Sequence, residues 1–179
     1  EGAWQNGAYG HFRLSEADWS FLATCDVWST HADGPDFEEA LRQKPSGIRM
    51  AVDFLHLLQP EKLARTLSDS TLCYIGGTPD MVPVLSDMAA EHPGMIVLTL
   101  GAEGSIAFHG MNQWRQEALP VARVIDTTGC GDAFQAACTS TWFETGDVAR
   151  ALLAGAELGR IATQTRGGVP WHITPTGKD

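Results

Sequence analysis

Asp132 is the residue around which chemistry is most readily built. It closes the run Gly129-Cys130-Gly131-Asp132 inside Val124-Ile125-Asp126-Thr127-Thr128-Gly129-Cys130-Gly131-Asp132-Ala133-Phe134. That stretch predicts a strand end, a polar tight turn with two glycines, and then a helix. Glycines at a helix start let the backbone approach a ligand closely, and the unpaired first N–H groups at the positive dipole end suit a phosphate. A carboxylate in such a site repels phosphate unless it has a task there. The task that fits is general base: Asp132 takes the proton of a hydroxyl as that hydroxyl attacks a phosphoryl group. The competing explanation is an acidic first-turn residue favoured by the helix dipole, which holds for most isolated Gly-x-Gly-Asp strings.

These residues need elements to position them. Ala133, Phe134, Ala136, Ala137, Cys138 and Trp142 supply the apolar positions of the helix, with Phe134, Ala137, Cys138 and Trp142 along one face. Residues 95–108 read as strand, Gly-bounded turn, strand. Upstream, strands are expected at 25–30, 48–54 and 71–75, and helices at 35–43, 60–67 and 79–91, the second opening on a proline. Met81, Leu85, Met88 and Ala89 fall at helical spacing and are expected in the core. Repeated β-α-β order with short connections predicts an α/β fold with a doubly wound, mainly parallel sheet flanked by helices. Ligands in such sheets bind beyond the carboxyl ends of the strands, where 126–132 falls. A further helix over 149–163 carries Ala151, Ala154, Gly155 and Gly159, which suit either close packing or room for an adenine. Residues 1–171 read as one body and 172–179 as a poorly anchored tail.

Composition bounds the function. Of 179 residues, 44% are apolar and 19% charged, enough for one core. Twenty-two acids against twelve Lys and Arg give a net charge of −10, which repels nucleic acid and anionic membrane surfaces. A phosphate ligand must then be held locally, by backbone amides. Cys25, Cys73, Cys130 and Cys138 show no Cys-x-x-Cys spacing, and reduced thiols are expected. No histidines pair at ligand spacing. No run reaches membrane-spanning length and no signal peptide is visible, so a cytoplasmic protein is expected. Neither a Gly-x-x-x-x-Gly-Lys-Ser/Thr loop nor a strand followed by Gly-x-Gly-x-x-Gly occurs, which sets aside a Walker P-loop and a Rossmann oxidoreductase.

Asp126-Thr127-Thr128-Gly129-Cys130-Gly131-Asp132 resembles the second signature of the ribokinase-like (PfkB) carbohydrate kinases, Asp-Thr-x-Gly-Ala-Gly-Asp, with Cys130 in place of the alanine. The family transfers the γ-phosphoryl group of ATP to a sugar hydroxyl. The resemblance implies that Asp132 is the catalytic base and that the amides of Gly129, Cys130 and Gly131 form an anion hole. Thr99-Leu100-Gly101-Ala102-Glu103-Gly104 is similar to a stretch lining the nucleotide in the family, implying ATP contacts at Thr99, Gly101 and Gly104. Gly155 and Ala156 are implied near the adenine. The order of Gln113-Trp114-Arg115-Gln116 before the signature, and Leu14-Ser15-Glu16-Ala17-Asp18, look most like the fructoselysine 6-kinase (fructosamine kinase) branch.

The resemblance also implies magnesium with the ATP. The family's Asn-x-x-Glu motif, whose glutamate organises magnesium-bound water, is replaced by Gly77-Thr78-Pro79-Asp80, leaving Asp80 as a shorter substitute. Many relatives bind a monovalent cation such as potassium, for which the corresponding positions are Asp126, Thr128, Ala162, Thr165 and Gly167. The likeness starts in the middle of the family pattern: the glycine-rich sugar-binding segment and small lid strands are expected to be lacking, and the chain alone is expected to be inactive. Expected partners are a small sugar or sugar-amine substrate and the missing N-terminal part of the same protein, with a homodimer left open and neither nucleic acid nor membrane. Two alternatives stand beside a sugar kinase: a catalytically silent nucleotide-binding relative or regulator of the same fold, and a plain α/β interaction domain.

Overall fold

The computed structural model describes residues 11–67 and 71–168. Among them the order is α1 (Glu16–Leu22), β1 (Val27–His31), α2 (Phe37–Gln43), β2 (Arg49–Asp53), α3 (Pro60–Thr66), β3 (Thr71–Gly76), α4 (Val82–Glu91), β4 (Met95–Thr99), β5 (Ser105–His109), β6 (Asn112–Gln116), α5 (Cys130–Thr145) and α6 (Val148–Ala162). The strands are hydrogen-bonded in sequence order from β1 to β6. The chain divides into two compact units, Glu1–Leu98 with Phe108–Asn112, and Thr99–Ala107 with Gln113–Asp179. The expected tail, 172–179, lies outside the described residues.

In the first unit β1, β2 and β3 are parallel, with Val27 opposite Arg49 and Met50 opposite Thr71. All six residues of β3 are buried, the signature of a parallel strand covered on both faces. Helices α2, α3 and α4 each bury a narrow apolar stripe: Phe37 and Ala40 of α2, Leu63 of α3, Leu85 and Ala89 of α4. The helix expected over 79–91 is a 3-10 turn at Pro79–Met81 followed by α4. Pro83 accounts for the break, because in a continuous helix its ring would strike the carbonyl of residue 79, whereas it is tolerated in the first turn of a new helix.

The second unit holds the signature. α5 ends at Gly146, left-handed at φ 68°, whose amide donates to Trp142 O. α6 starts at Val148, capped by Asp147, whose carboxylate accepts from the Arg150 amide. So short a link makes the two helices a hairpin. Phe134 and Cys138 of α5 are buried, as are Val148, Ala151, Leu152 and Gly155 of α6. The strand end expected at 124–126 is absent. Val124 and Ile125 are 52% and 54% exposed. The amides of Ile125 and Asp126 both turn to Thr163 O, at 2.8 and 3.3 Å, so this segment is tied to the end of α6 rather than to a sheet ladder.

Candidate active site

Three features of the second unit fix the loop before α5. Gly129, the residue capping α5, has φ 77° and ψ 0°, the left-handed conformation that glycine adopts without steric cost. A Cβ there would lie 2.8 Å from Gly168 Cα and 2.9 Å from Gly168 O, so two backbone segments touch where only glycine fits. The second feature is Asp126. Its Oδ1 accepts from the Thr128 amide at 2.9 Å and from Thr128 Oγ1 at 2.7 Å, and its Oδ2 accepts from the Gly167 amide at 2.9 Å. These bonds, the Gly167 amide first, hold the Asp126 carboxyl down at about 2, with a further contribution from the Arg166 charge. Asp-x-Thr spacing is the sequence signal for such an Asx turn.

The third feature is the surface of α6. A Cβ at Gly155 would meet the Phe134 ring at 2.8 Å, and one at Gly159 would meet Cys130 O at 3.3 Å. Both glycines are small because the first turn and a half of α5 rests on them. Packing thus accounts for Gly155, while Ala156 beside it is half-buried.

The result is a 16-residue helix whose N-terminus no side chain caps. The Cys130 amide donates to Thr127 O at 3.2 Å, within the turn. The amides of Gly129, Gly131 and Asp132 have no acceptor among the described residues. Asp132 is exposed on this first turn, and Cys130 is half-buried. A cluster of amides at a positive dipole end beside an exposed carboxylate can do two things together: bind phosphoryl oxygens and accept a proton.

The other sequence-derived candidates divide. Thr99 ends β4, and Gly101 (φ 58°) opens the 3-10 turn Gly101–Glu103 that follows, with nothing near its missing Cβ. Gly104 (φ 92°) would place a Cβ 2.0 Å from Gln116 O, so the approach of β6 explains it. Ala162 O accepts from the Thr165 amide at 3.1 Å and from Thr165 Oγ1 at 3.0 Å. Asp80 belongs to the first unit, exposed, and accepts from the Thr78 hydroxyl. Among the described residues no three His, Cys, Asp or Glu gather in a way that could hold a metal, and no helix is long and apolar enough to cross a membrane. Gly168 and Arg166 were missed in the sequence; Gly167-Gly168 signals only a turn there.

Residues 64–173 match the pfkB family carbohydrate kinases. The chain belongs to that family. Among relatives of this pfkB-family chain, fructoselysine 6-kinase of Escherichia coli (strain K12) is 31% identical over 145 residues, covering 79% of this chain and 55% of the relative. Solved structures give the fold: a microbiome-derived acarbose kinase superposes with TM-score 0.73 at 19% identity, over 90% of this chain and 57% of that one. A sugar kinase of Pyrococcus horikoshii in complex with ATP superposes with TM-score 0.66 at 17% identity, over 87% and 58%. The fold of this pfkB-family chain is thus the ribokinase-like α/β fold. It spans about half the length of the curated relatives it matches.

Proposed function

We propose that the chain is the nucleotide-binding, base-carrying part of an ATP-dependent sugar kinase that acts on a fructosamine such as fructoselysine. The observation that carries this reading is the uncapped N-terminus of α5 with Asp132 exposed on its first turn. The fructosamine comes from the name of the Escherichia coli relative, and ATP from the family and the Pyrococcus horikoshii complex. Asp132 accepts the proton of the sugar hydroxyl as the hydroxyl oxygen bonds to the γ-phosphorus and the bond to ADP breaks. The amides of Gly129 and Gly131 take up charge on the transferring oxygens as fixed dipoles, and the Cys130 amide joins them by leaving Thr127 O. A sulfur at position 130 leaves this backbone role intact.

Thr99 and Gly101 are proposed as nucleotide contacts, with Gly104 shaping their turn, and Gly155 and Ala156 as the adenine-side positions that the resemblance implies. Magnesium, when bound with the phosphates, neutralises part of their charge. Asp80, whose carboxylate accepts from the Thr78 hydroxyl, is the substitute for the family's magnesium-organising glutamate that the resemblance implies. Sugar recognition is assigned to residues of the same protein outside this chain, with a second copy as the other candidate partner, in the cytoplasm. The test is Asp132→Asn in the whole protein: ATP affinity is retained and turnover falls about 10²–10⁴-fold, because the amide cannot take the proton. Near-normal turnover would remove Asp132 from the base role. One observation favours a silent nucleotide-binding regulator instead, the shorter Asp80 held by Thr78 where the family carries Asn-x-x-Glu; ATP binding with no turnover in the whole wild-type protein would select it.

A further inference from the structure

The loop that presents the α5 amides is held by oxygens already engaged by the chain's own donors. Asp126 accepts three hydrogen bonds, from the Thr128 amide, the Thr128 hydroxyl and the Gly167 amide. That is three of the roughly four acceptor sites of a carboxylate. Gly167 therefore turns an N–H, not an oxygen, toward Asp126. The Thr163 carbonyl accepts from the amides of Ile125 and Asp126, and the Ala162 carbonyl from the amide and hydroxyl of Thr165. A carbonyl has two lone pairs, and both are taken in each case. A monovalent cation drawing on the Asp126 carboxylate and the Ala162 carbonyl would have to displace these hydrogens. Between them those two groups keep a single free acceptor site, a poor fit to a cation.

Resting on the phosphate-site reading above, we propose that Asp126 is a positioning residue which latches the anion loop to the turn after α6, and that this latch replaces a monovalent cation. The carboxylate links the start of the loop to residue 167, and the Gly129–Gly168 backbone contact links its end to residue 168. The Gly129 amide lies between these ties and the Gly131 amide just past them, so their direction depends on the latch and not on an ion.

The test compares the 179-residue chain in potassium chloride and in tetramethylammonium chloride of equal ionic strength. Without nucleotide, amide hydrogen exchange over 125–132 and 162–168 is expected to be the same in both salts, and ATP–magnesium affinity equal in both. Protection of those segments by potassium, or an affinity that rises saturably with potassium, overturns the proposal. Asp126→Asn replaces an acceptor with an NH₂ group facing the Gly167 amide or the Thr128 donors. Exchange should then quicken over 125–132 and 163–168 only, with ATP affinity about tenfold weaker and no recovery in potassium. Unchanged exchange in Asp126→Asn, or exchange quickened equally along α5 and α6, overturns the positioning role. Absence of ATP binding by the wild-type chain in both salts sinks the phosphate-site reading instead, while the nucleotide-free exchange still judges the latch.

Discussion

Replacing Gly129 by alanine should unlatch the phosphate loop, and its cost can be built from two parts. The left-handed conformation at φ 77° costs an L-residue about 1–2 kcal/mol. The new Cβ would then sit 2.8 Å from Gly168 Cα, against 3.4 Å for ordinary contact, and the atoms it meets are backbone that cannot rotate aside. Forcing two segments apart by about 0.6 Å resembles overpacking a core, about 1–3 kcal/mol. Together the loss is about 2–5 kcal/mol, a large share of the ~5–15 kcal/mol available to a domain. Gly131→Ala is the control two residues away: its Cβ would meet nothing within 4 Å and it lies within α5. There alanine should be neutral or stabilise by up to about 1 kcal/mol. Thermal unfolding of both variants reads the difference, with Gly129→Ala melting roughly 5–15 °C below wild type. Equal melting of Gly129→Ala and wild type, or equal losses from both substitutions, would refute the close approach of residues 129 and 168.

Further expectations concern the support of that loop. Phe134→Ala should cost about 3–5 kcal/mol, since the ring is buried against Gly155; Gly155→Ala should be poorly tolerated alone and far better tolerated beside Phe134→Ala, as a double-mutant cycle in urea would show. The Asp126 carboxyl, lowered from 3.8 to about 2 in the folded chain, contributes stability that is fully present above pH ~4 and is lost as the pH falls through about 2. The stability gap between wild type and Asp126→Asn should therefore close over that interval, and a gap unchanged at its acid end would contradict the hydrogen bonds assigned to this carboxylate.

How much of this was legible in the sequence differs by element. Strands β1 to β3 and the helices between them lie within two residues of the positions read from alternation and turn residues, because each buries a simple apolar stripe. The 124–126 segment misled: Val124 and Ile125 look like a strand, yet no ladder partner claims them among the described residues, and their chain is tied to Thr163 instead. Pro83 is the residue that divides 79–91, because its ring is tolerated only in the first turn of a new helix. At the site, the Gly-x-Gly-Asp string pointed to the helix N-terminus directly, since capping and glycine geometry are local. Gly155 could not be resolved without its partner, because the same small residue admits an adenine or a Phe134 ring from another helix. The Asp126 latch lay beyond reach for a similar reason: its key donor, the Gly167 amide, is 41 residues away.

Whether phosphate docks at the N-terminus of α5 is read most directly by the thiol that stands there. Cys130 and Cys25 are half-buried, while Cys73 and Cys138 are buried, Cys73 with its thiol pKa pushed up by that burial. Brief alkylation of the folded chain should label Cys130 and Cys25 and leave Cys73 and Cys138 for denaturant. With ATP–magnesium at about ten times its dissociation constant, only about a tenth of the sites stay free, so Cys130 labelling should slow about tenfold while Cys25 labels at its former rate. Peptide mapping gives both rates from one sample. Equal Cys130 labelling with and without bound ATP would mean that the nucleotide phosphates do not sit on the amides of Gly129 to Gly131.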